Sequence, residues 1–418
     1  MNSEKINSIL IRLIILLILF VLLKYKINID LCKANLEKRL LRFIKYNKKI
    51  KMINNITNYL NSIKHYVNLI NKNQLKPIQY NYTVNNPKIS LISPIFNKEK
   101  YLKSLIISIQ YQYVSEIEII FVDDSSTDNS VKVINEFSKN DKRIKLIKNK
   151  INKGTLYSRS QGALLSKGEY IIFIDSDDLI LREGLYNSYN YIKKKDLSMI
   201  QFNTIFKRND TYELTIRYYK YEKIINQPIL SNIFYYNELT KKADELNTAL
   251  WDKLINREIA VKAVDFIGKE YYNEYIPIEN DVILLFSIFQ MAKSYQYINE
   301  TGYFYIRTHN DSITNSWKIP KIASSVVHGL FVNIKFLYEK SNNNSISKLF
   351  SIFKLRQSFI RYIICFKKAE KEYEFIKKVL NLLLKSTYIP KNDKFYISTI
   401  DAAISLFYMN ISSNSKII

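Results

Sequence analysis

Cysteine and glycine are both scarce in this sequence. Cys32 and Cys365 are the only cysteines among 418 residues, which excludes a disulfide framework and a cysteine metal site but leaves the redox compartment open. Three of the seven glycines, Gly154, Gly162 and Gly168, lie just before an acidic segment. We expect the first to form a tight turn, the second to let a helix approach the sheet or a ligand closely, and the third to end a helix.

Acidic residues are fewer than basic residues in this sequence. The chain has 38 acidic and 63 basic residues, a formal net charge of +25. Because the basic residues are spread along the whole chain instead of forming one arm or stripe, they indicate a diffusely basic surface. The sequence therefore predicts no nucleic-acid partner. Its length allows one large domain or two modest ones.

Long apolar runs are also lacking, with one short exception near the N-terminus. Residues 13–23 (LIILLILFVLL) are apolar throughout, but a membrane-spanning helix needs about 20 residues. A cleaved signal peptide is the competing interpretation, although no small-residue cleavage site follows. We expect residues 1–24 to form an uncleaved single-pass membrane anchor, placing the protein in the Golgi or ER. Orientation stays open, because flanking lysines favour a cytosolic chain and N-x-[ST] sequons from Asn55 to Asn410 favour the lumen.

Two regions flank the central part of the chain. Residues 25–86 form a basic stem, predicted to be helical, and residues 316–418 a C-terminal helical region. In the stem, apolar residues recur every three or four positions: Ile53, Ile56, Leu60, Ile63, Val67 and Ile70. This pattern is typical of an amphipathic helix, which either packs on the next domain or forms a homodimer. Pro77 and Pro87 mark the boundary.

Strands and helices alternate between residues 87 and 315. Segments 88–97, 116–128, 143–149 and 169–175 read as apolar strands, and the segments between them have helical periodicity. Such alternation is typical of an α/β fold with a Rossmann-like, mostly parallel sheet flanked by helices. In these sheets ligands bind beyond the carboxyl ends of the strands.

Carboxylates gather at two of those strand ends. Asp123 and Asp124 follow one apolar strand, and Asp175, Asp177 and Asp178 follow another. We expect the two groups to share one crevice. The D-x-D spacing suits a hard divalent cation that also binds substrate phosphates. The alternative, that Asp177 or Asp178 caps the next helix, accounts for one aspartate but not for three.

Six segments in order resemble the inverting family-2 glycosyltransferases of GT-A fold. They are SPIFN, VDDSSTDNS, NKGTLYSRSQGALLSKGEYIIFIDSDD, LWDKLINR (250–257), IPIENDVILLFSIF (276–289) and GYFYIRTHNDSIT (302–314). The resemblance implies a GT-A-like domain over residues 87–315 and a hexosyl- or N-acetylhexosaminyl-transferase activity. It also implies a nucleotide-sugar donor, with a UDP-sugar favoured, and a glycan, protein or lipid acceptor.

The resemblance further implies roles for individual residues. The donor-binding residues would be Pro94, Asp123, Asp124, Arg159, Asp175 and Asp177. Mn²⁺ or Mg²⁺ would be bound by Asp175 and Asp177, with His309 completing its ligands. The catalytic base would be Asp281, with Glu279 as the alternative, because the family usually reads E-D where this chain reads Glu279-Asn280-Asp281.

Other functions compete with this interpretation. A haloacid-dehalogenase-like phosphatase also has D-x-D at a strand end, but Leu179 stands where its motif has Thr or Val. A non-catalytic basic membrane scaffold accounts for the charge but not for the ordered acids. A sugar nucleotidyltransferase would need a glycine-rich loop after the first strand. A processive synthase is disfavoured, because Gln357 and Arg361 do not fit its Q-x-x-R-W motif and no 20-residue apolar run follows residue 314.

Overall fold

The computed structural model describes most of the central part of the chain. The described residues are 65–70, 72, 74–208, 211–215, 224–226, 249–276, 280–306, 332–333, 336–337 and 339–340, with backbone alone at 208 and 211–215. The predicted anchor and most of the predicted stem and C-terminal region therefore lie outside the described residues, as do Glu279 and His309. Residues 69–418 belong to one compact unit, and every contact reported below lies within it.

The first half of the fold alternates strand and helix, as the sequence predicts. Its elements are β1 (Ile89–Ile95), α1 (Glu99–Gln110), β2 (Ile117–Asp123), α2 (Ser130–Asn140), β3 (Ile144–Lys148), α3 (Thr155–Leu165) and β4 (Tyr170–Phe173). Nearly every side chain of β1, β2 and β4 is buried, because helices cover both faces of the sheet. This burial confirms the interpretation of these apolar segments as central strands.

The second half is more irregular. Its elements are β5 (Leu179–Ile180), α4 (Gly184–Lys195), β6 (Met199–Arg208), β7 (Thr211–Thr215), β8 (Ile225–Asn226), β9 (Lys253–Asn256), α5 (Arg257–Ile267), α6 (Lys269–Tyr272), α7 (Asn280–Met291) and β10 (Ser294–Ile306). Helix α5 begins sharply because the Asn256 side chain accepts the Glu258 and Ile259 backbone N–H groups, a strong N-terminal cap.

The described strands form one ten-stranded sheet in the order β3-β2-β1-β4-β9-β6-β10-β5, with β7 paired to β6 and β8 to β10. Strands β3, β2, β1 and β4 are parallel, whereas β9 runs antiparallel to both β4 and β6. The sheet is thus mixed, where the sequence predicted a mostly parallel one. Strands β6 and β7 are separated by residues 209–210 alone, and so short a connection can only produce an antiparallel pair.

Helices cover the two faces of the sheet as separate apolar layers. Helices α3, α5 and α7 pack on one face, and α1, α2 and α4 on the other. Gly162 sets the distance between α3 and β1, since a Cβ at this position would lie 2.3 Å from Ile92 Cγ2. The predicted close approach at Gly162 is therefore confirmed, with the sheet as its partner.

Among the described residues, no helix is long and apolar enough to cross a membrane. The strongly apolar helix α7 has 12 residues and spans about 18 Å, against about 30 Å of bilayer hydrocarbon. Its apolar side chains are buried in the core. This finding contradicts the single-pass Golgi or ER membrane localisation predicted from the sequence. The segment that suggested it, residues 1–24, lies outside the described residues.

Candidate active site

The two predicted acidic groups lie at the same edge of the sheet. Asp123 is the last residue of β2, Asp175 comes shortly after β4, and both strands are parallel neighbours of β1. Pro94 lies near the end of β1, where it is half-buried and paired in register with Val122. The carboxyl ends of three adjacent strands therefore lie together at one edge of the sheet, where the sequence predicts a shared crevice.

Asp124 supports the loop that leads into α3. Its carboxylate accepts hydrogen bonds from Asn149 Nδ2 at 2.8 Å, Lys153 N at 2.9 Å and Gly154 N at 2.7 Å. Gly154 has φ 87°, a conformation that favours glycine, and it directly precedes the first residue of α3. By contrast, each Asp123 oxygen receives the Ser126 N–H at 3.4 Å, which is long for a hydrogen bond. Asp123 thus keeps more accepting capacity than Asp124.

Two exposed aromatic residues, Phe96 and Tyr275, lie close to these elements in the chain or in space, and the sequence analysis missed both. Phe96 directly follows β1 and is exposed. Tyr275 is also exposed, and its Cδ2 atom lies 3.2 Å from the position that a Cβ on Gly154 would occupy. Partial burial, with a contribution from the Asp124 carboxylate, raises the pKa of Tyr275. For Phe96, an aromatic residue directly after an apolar strand was the signal that could have identified it; Tyr275 follows α6 and had no such signal.

Arg159 joins the donor-side acids to the predicted catalytic base. Its side chain is buried in α3, and Nη2 donates to Asp175 Oδ1 at 2.7 Å. Nη1 donates to Asn280 Oδ1 at 2.7 Å and to Asp281 Oδ1. One guanidinium therefore ties the end of β4 to the first turn of α7. Asn280, which is also buried, is held in turn by its Nδ2–H donated to Ile276 O at 3.3 Å.

Burial dominates the ionisation of Asp175. It raises the pKa of the Asp175 carboxyl to about 6, against the opposing effect of Arg159 and together with repulsion from Asp281 and Asp177. A raised carboxyl pKa at a strand end is common at functional sites, although structural ion pairs also produce it.

Asp178 belongs to the scaffold. Its buried carboxylate accepts hydrogen bonds from Tyr303 Oη and Ile306 N, both at 2.8 Å, and Tyr303 Oη accepts the Asp175 N–H at 3.1 Å. Trp251 stacks on Tyr303 with ring centroids 4.8 Å apart. Burial raises the pKa of Asp178 well above its usual value. Asp178 thus fixes β10 to the acidic turn, and β5 separates it from α4, so the helix-capping alternative is wrong for this residue.

Asp177 has a cationic partner that the sequence did not predict. Lys98 Nζ lies 2.7 Å from Asp177 Oδ2, and both side chains are mostly buried. Lys98 follows β1, whose carboxyl end is next to that of β4. A lysine directly after the first strand was the signal that could have suggested this pair.

The predicted metal ligands fit a cation that is shared with a substrate. Within the described part of the chain, no group of three or more His, Cys, Asp and Glu side chains could enclose a metal ion. Asp175 and Asp177 remain 30% and 18% exposed, and the Lys98 ammonium shows that a cation is stabilised beside Asp177. Mg²⁺ typically takes one or two carboxylates and completes its coordination with phosphate oxygens and water. The two carboxylates therefore suit a metal ion that is also bound by substrate phosphate and water, and not one that is enclosed by protein ligands alone.

Comparisons with known proteins agree on one family. Residues 90–249 match the family model described as Glycosyl transferase family 2. An uncharacterized glycosyltransferase of Haemophilus influenzae is 39% identical over 123 residues, which cover 29% of this chain and 49% of that protein. A cholesterol galactosyltransferase of Borreliella burgdorferi is 27% identical over 247 residues, 58% of this chain and 64% of that protein. The chain therefore spans less than two thirds of the length of these relatives.

A solved structure shares the fold. The match to the crystal structure of S. aureus TarS 1–349 in complex with UDP has a TM-score of 0.53 and 16% sequence identity. The aligned region covers 79% of this chain and 91% of the TarS chain. At this identity the likeness shows the fold alone.

Proposed function

Since residues 90–249 of the chain belong to glycosyl transferase family 2, we propose that the protein transfers one sugar from a nucleotide-diphosphate sugar to an acceptor hydroxyl. The observation that carries this proposal is the Arg159 cluster, which holds Asp175 and Asp281 on one guanidinium. Sugar transfer requires groups that bind a diphosphate and a base that deprotonates the acceptor, at adjacent positions.

The donor nucleotide binds at the ends of β1 and β2. Asp123, whose contacts to Ser126 are long, accepts an N–H of the base, while Phe96 and Tyr275 offer aromatic faces on which a base can stack. Pro94 lines the same pocket, and Asp124 holds the loop at its edge. UDP is the first nucleotide to test, because TarS, of the same fold, was crystallised with UDP.

Asp175 and Asp177 would hold Mg²⁺ or Mn²⁺, as enzymes of this family commonly use a divalent metal. The bound ion would neutralise the charge that develops on the departing nucleoside diphosphate. Arg159 acts from behind these carboxylates: its guanidinium already contacts Asp175, Asn280 and Asp281, so it positions both acids relative to each other.

Asp281 is the base in this proposal. Arg159 binds its Oδ1 and so orients the carboxylate, whose side chain remains 24% exposed. Asp281 takes the proton from the acceptor hydroxyl as the oxygen attacks the anomeric carbon from the face opposite the diphosphate, which inverts that carbon. Glu279 lies outside the described residues, and the choice of Asp281 over Glu279 stays a prediction.

A screen of nucleotide sugars tests the function. The full chain is incubated with UDP-, GDP- and TDP-sugars, Mn²⁺ and a mixture of glycan and lipid acceptors, and released nucleoside diphosphate is measured. We expect release from one donor class, dependent on acceptor and absent in Asp281→Asn. Hydrolysis of an aryl phosphate without any nucleotide-sugar turnover would instead support the phosphatase alternative, which the comparisons do not favour.

A further inference from the structure

The two carboxylates of the D-x-D segment each face a cationic side chain, and the two cations differ in burial and in the contacts that hold them. Arg159, opposite Asp175, is buried and held by three oxygen acceptors. Lys98, opposite Asp177, forms one ion pair at 2.7 Å, and its ammonium also lies 5.5 Å from the centroid of the Tyr101 ring. Both side chains of the ion pair keep partial contact with solvent, 16% and 18% exposed. Arg159 is therefore fixed in place, whereas the Lys98 ammonium, at the end of a flexible four-carbon chain, can exchange partners.

The backbone that carries Lys98 is anchored. The Lys98 N–H donates to Ser130 Oγ at 2.8 Å, and the preceding Asn97 N–H donates to Ser126 Oγ at 3.0 Å. Asn97 Oδ1 accepts the Thr127 N–H at 2.8 Å, and the left-handed backbone of Asn97, with φ 52°, places it for these contacts. Because the loop is tied to the β2–α2 segment, exchange at this site involves the Lys98 side chain and not the loop.

We propose that Lys98 is the exchangeable counter-ion of Asp177. In the nucleotide-free protein its ammonium occupies the position next to Asp177 that a divalent cation would take. When the donor enters with the cation, the ammonium passes from Asp177 to the diphosphate oxygens. This inference rests on the proposed function, and it assigns Lys98 a role in binding the diphosphate.

Charge balance gives the exchange its direction. A divalent cation that binds without nucleotide must displace the Lys98 ammonium from Asp177. The displaced ammonium then has no counter-ion and lies close to the positive charge of the metal. A diphosphate supplies the negative charge that the displaced ammonium needs. Nucleotide and metal should therefore bind with positive coupling, each raising the affinity for the other by the same factor.

Calorimetric titration of Mn²⁺ into the full chain, with and without UDP, tests the proposal. Lys98→Met removes the competing ammonium, so we expect it to bind Mn²⁺ about 10-fold more tightly than the wild type without UDP. With Mn²⁺ saturating, the same variant should bind UDP about 10-fold more weakly, since the diphosphate has lost a cation. Lys100→Met, at an exposed position in α1, is the matched control and should change neither affinity.

The outcomes separate this inference from the proposed function. If the wild type binds no UDP in the presence of Mn²⁺, the proposed function fails, while the Mn²⁺ titration without nucleotide still decides the role of Lys98. Equal, weaker or undetectable Mn²⁺ binding by Lys98→Met without UDP overturns the counter-ion role. Lys98→Gln provides a second variant if the first is misfolded by circular dichroism, and adding Asp177→Asn to either variant should abolish the gain in Mn²⁺ affinity.

Discussion

At the scale of single residues, Arg159 is the contact on which the candidate site depends. It lies 16 residues from Asp175 and 122 residues from Asp281 in the sequence, yet it touches both. Removing Arg159 would leave two carboxylates without their shared cation, which is costly in a buried site, whereas removing one acid leaves Arg159 paired with the other. The roles of Asp175 and Asp281 are therefore best separated by changing the acids one at a time and leaving Arg159 in place.

Asp281→Asn should reduce kcat by at least about 100-fold, the usual scale of general-base catalysis, because an amide cannot accept the proton of the acceptor. Donor affinity should stay close to that of the wild type, since Asn retains an oxygen for Arg159. Steady-state kinetics with calorimetry of UDP binding measures both quantities. Glu279→Gln is the matched control and should act mainly on the acceptor KM; a larger kcat loss in that variant would move the base to Glu279.

Asp175 should make the stability of the protein depend on pH. Its pKa is raised from 3.8 to about 6 in the folded protein, so the folded state binds more protons than the unfolded state between these values. Its contribution to the free energy of unfolding is therefore greatest below pH 4 and is lost as the pH rises through 6. The free energy of unfolding of Asp175→Asn, compared with that of the wild type at the same pH, should therefore increase by about 1 to 3 kcal/mol as the pH rises from about 4 to about 6.

Urea unfolding of both proteins at pH 3.5, 5 and 6.5 measures this difference. Glu183→Gln, a change at an exposed carboxylate near the same turn, is the control for general charge effects. A constant difference between the wild type and Asp175→Asn at all three pH values would contradict the raised pKa.

At the scale of helices and strands, α3 depends on the absence of a side chain at position 162. A Cβ there would meet Ile92 Cγ2 at 2.3 Å, so α3 must move away from β1 or Ile92 must change rotamer. Gly162→Ala should therefore lower the free energy of unfolding by about 1 to 3 kcal/mol, the usual cost of overpacking. Urea denaturation measures the change.

Two variants control this experiment. Gln161→Ala, the neighbouring half-buried position of α3, should alter stability by less than about 0.5 kcal/mol. Ile92→Ala combined with Gly162→Ala should cost less than the sum of the two single changes, because the new methyl fills the space left by Ile92. Strict additivity would show that the contact with Ile92 is not the cause.

The sequence predicted local features of these elements better than their pairing. Apolar periodicity predicted β1 to β4 and the helices between them, because buried parallel strands need apolar side chains on both faces. The insertion of β9 between β4 and β6 had no local signal, since the partners of β9 are set by packing at long range. For the same reason the acids of the site were predicted, but the link from Arg159 to Asp281 and the Lys98–Asp177 pair, 79 residues apart, were not.

At the scale of the whole molecule, the residues of the candidate site come from one edge of the sheet and from the helix beside it. The ends of β1, β2 and β4 supply Lys98, Asp123 and Asp175, while the first turn of α7 supplies Asp281. A ligand that contacts these elements together will stabilise the folded state, because the unfolded chain does not bring them together. Binding of nucleotide and metal should therefore be visible in the global stability of the chain.

Thermal unfolding of the full chain should respond to UDP and Mn²⁺ together more than to the sum of their separate effects. A ligand at 100 times its Kd stabilises a protein by about 2.7 kcal/mol. For a domain of this size, at about 2–4 °C per kcal/mol, this corresponds to a rise in Tm of several degrees.

UMP, which lacks the second phosphate, is the matched control and should give little of the combined effect, since one phosphate offers fewer oxygens to Mn²⁺ and Lys98. In Asp177→Asn the combined shift should fall to the sum of the separate shifts. An equal shift with UMP and UDP would place the nucleotide away from the acidic turn and would contradict the proposed donor-binding role of Asp175 and Asp177.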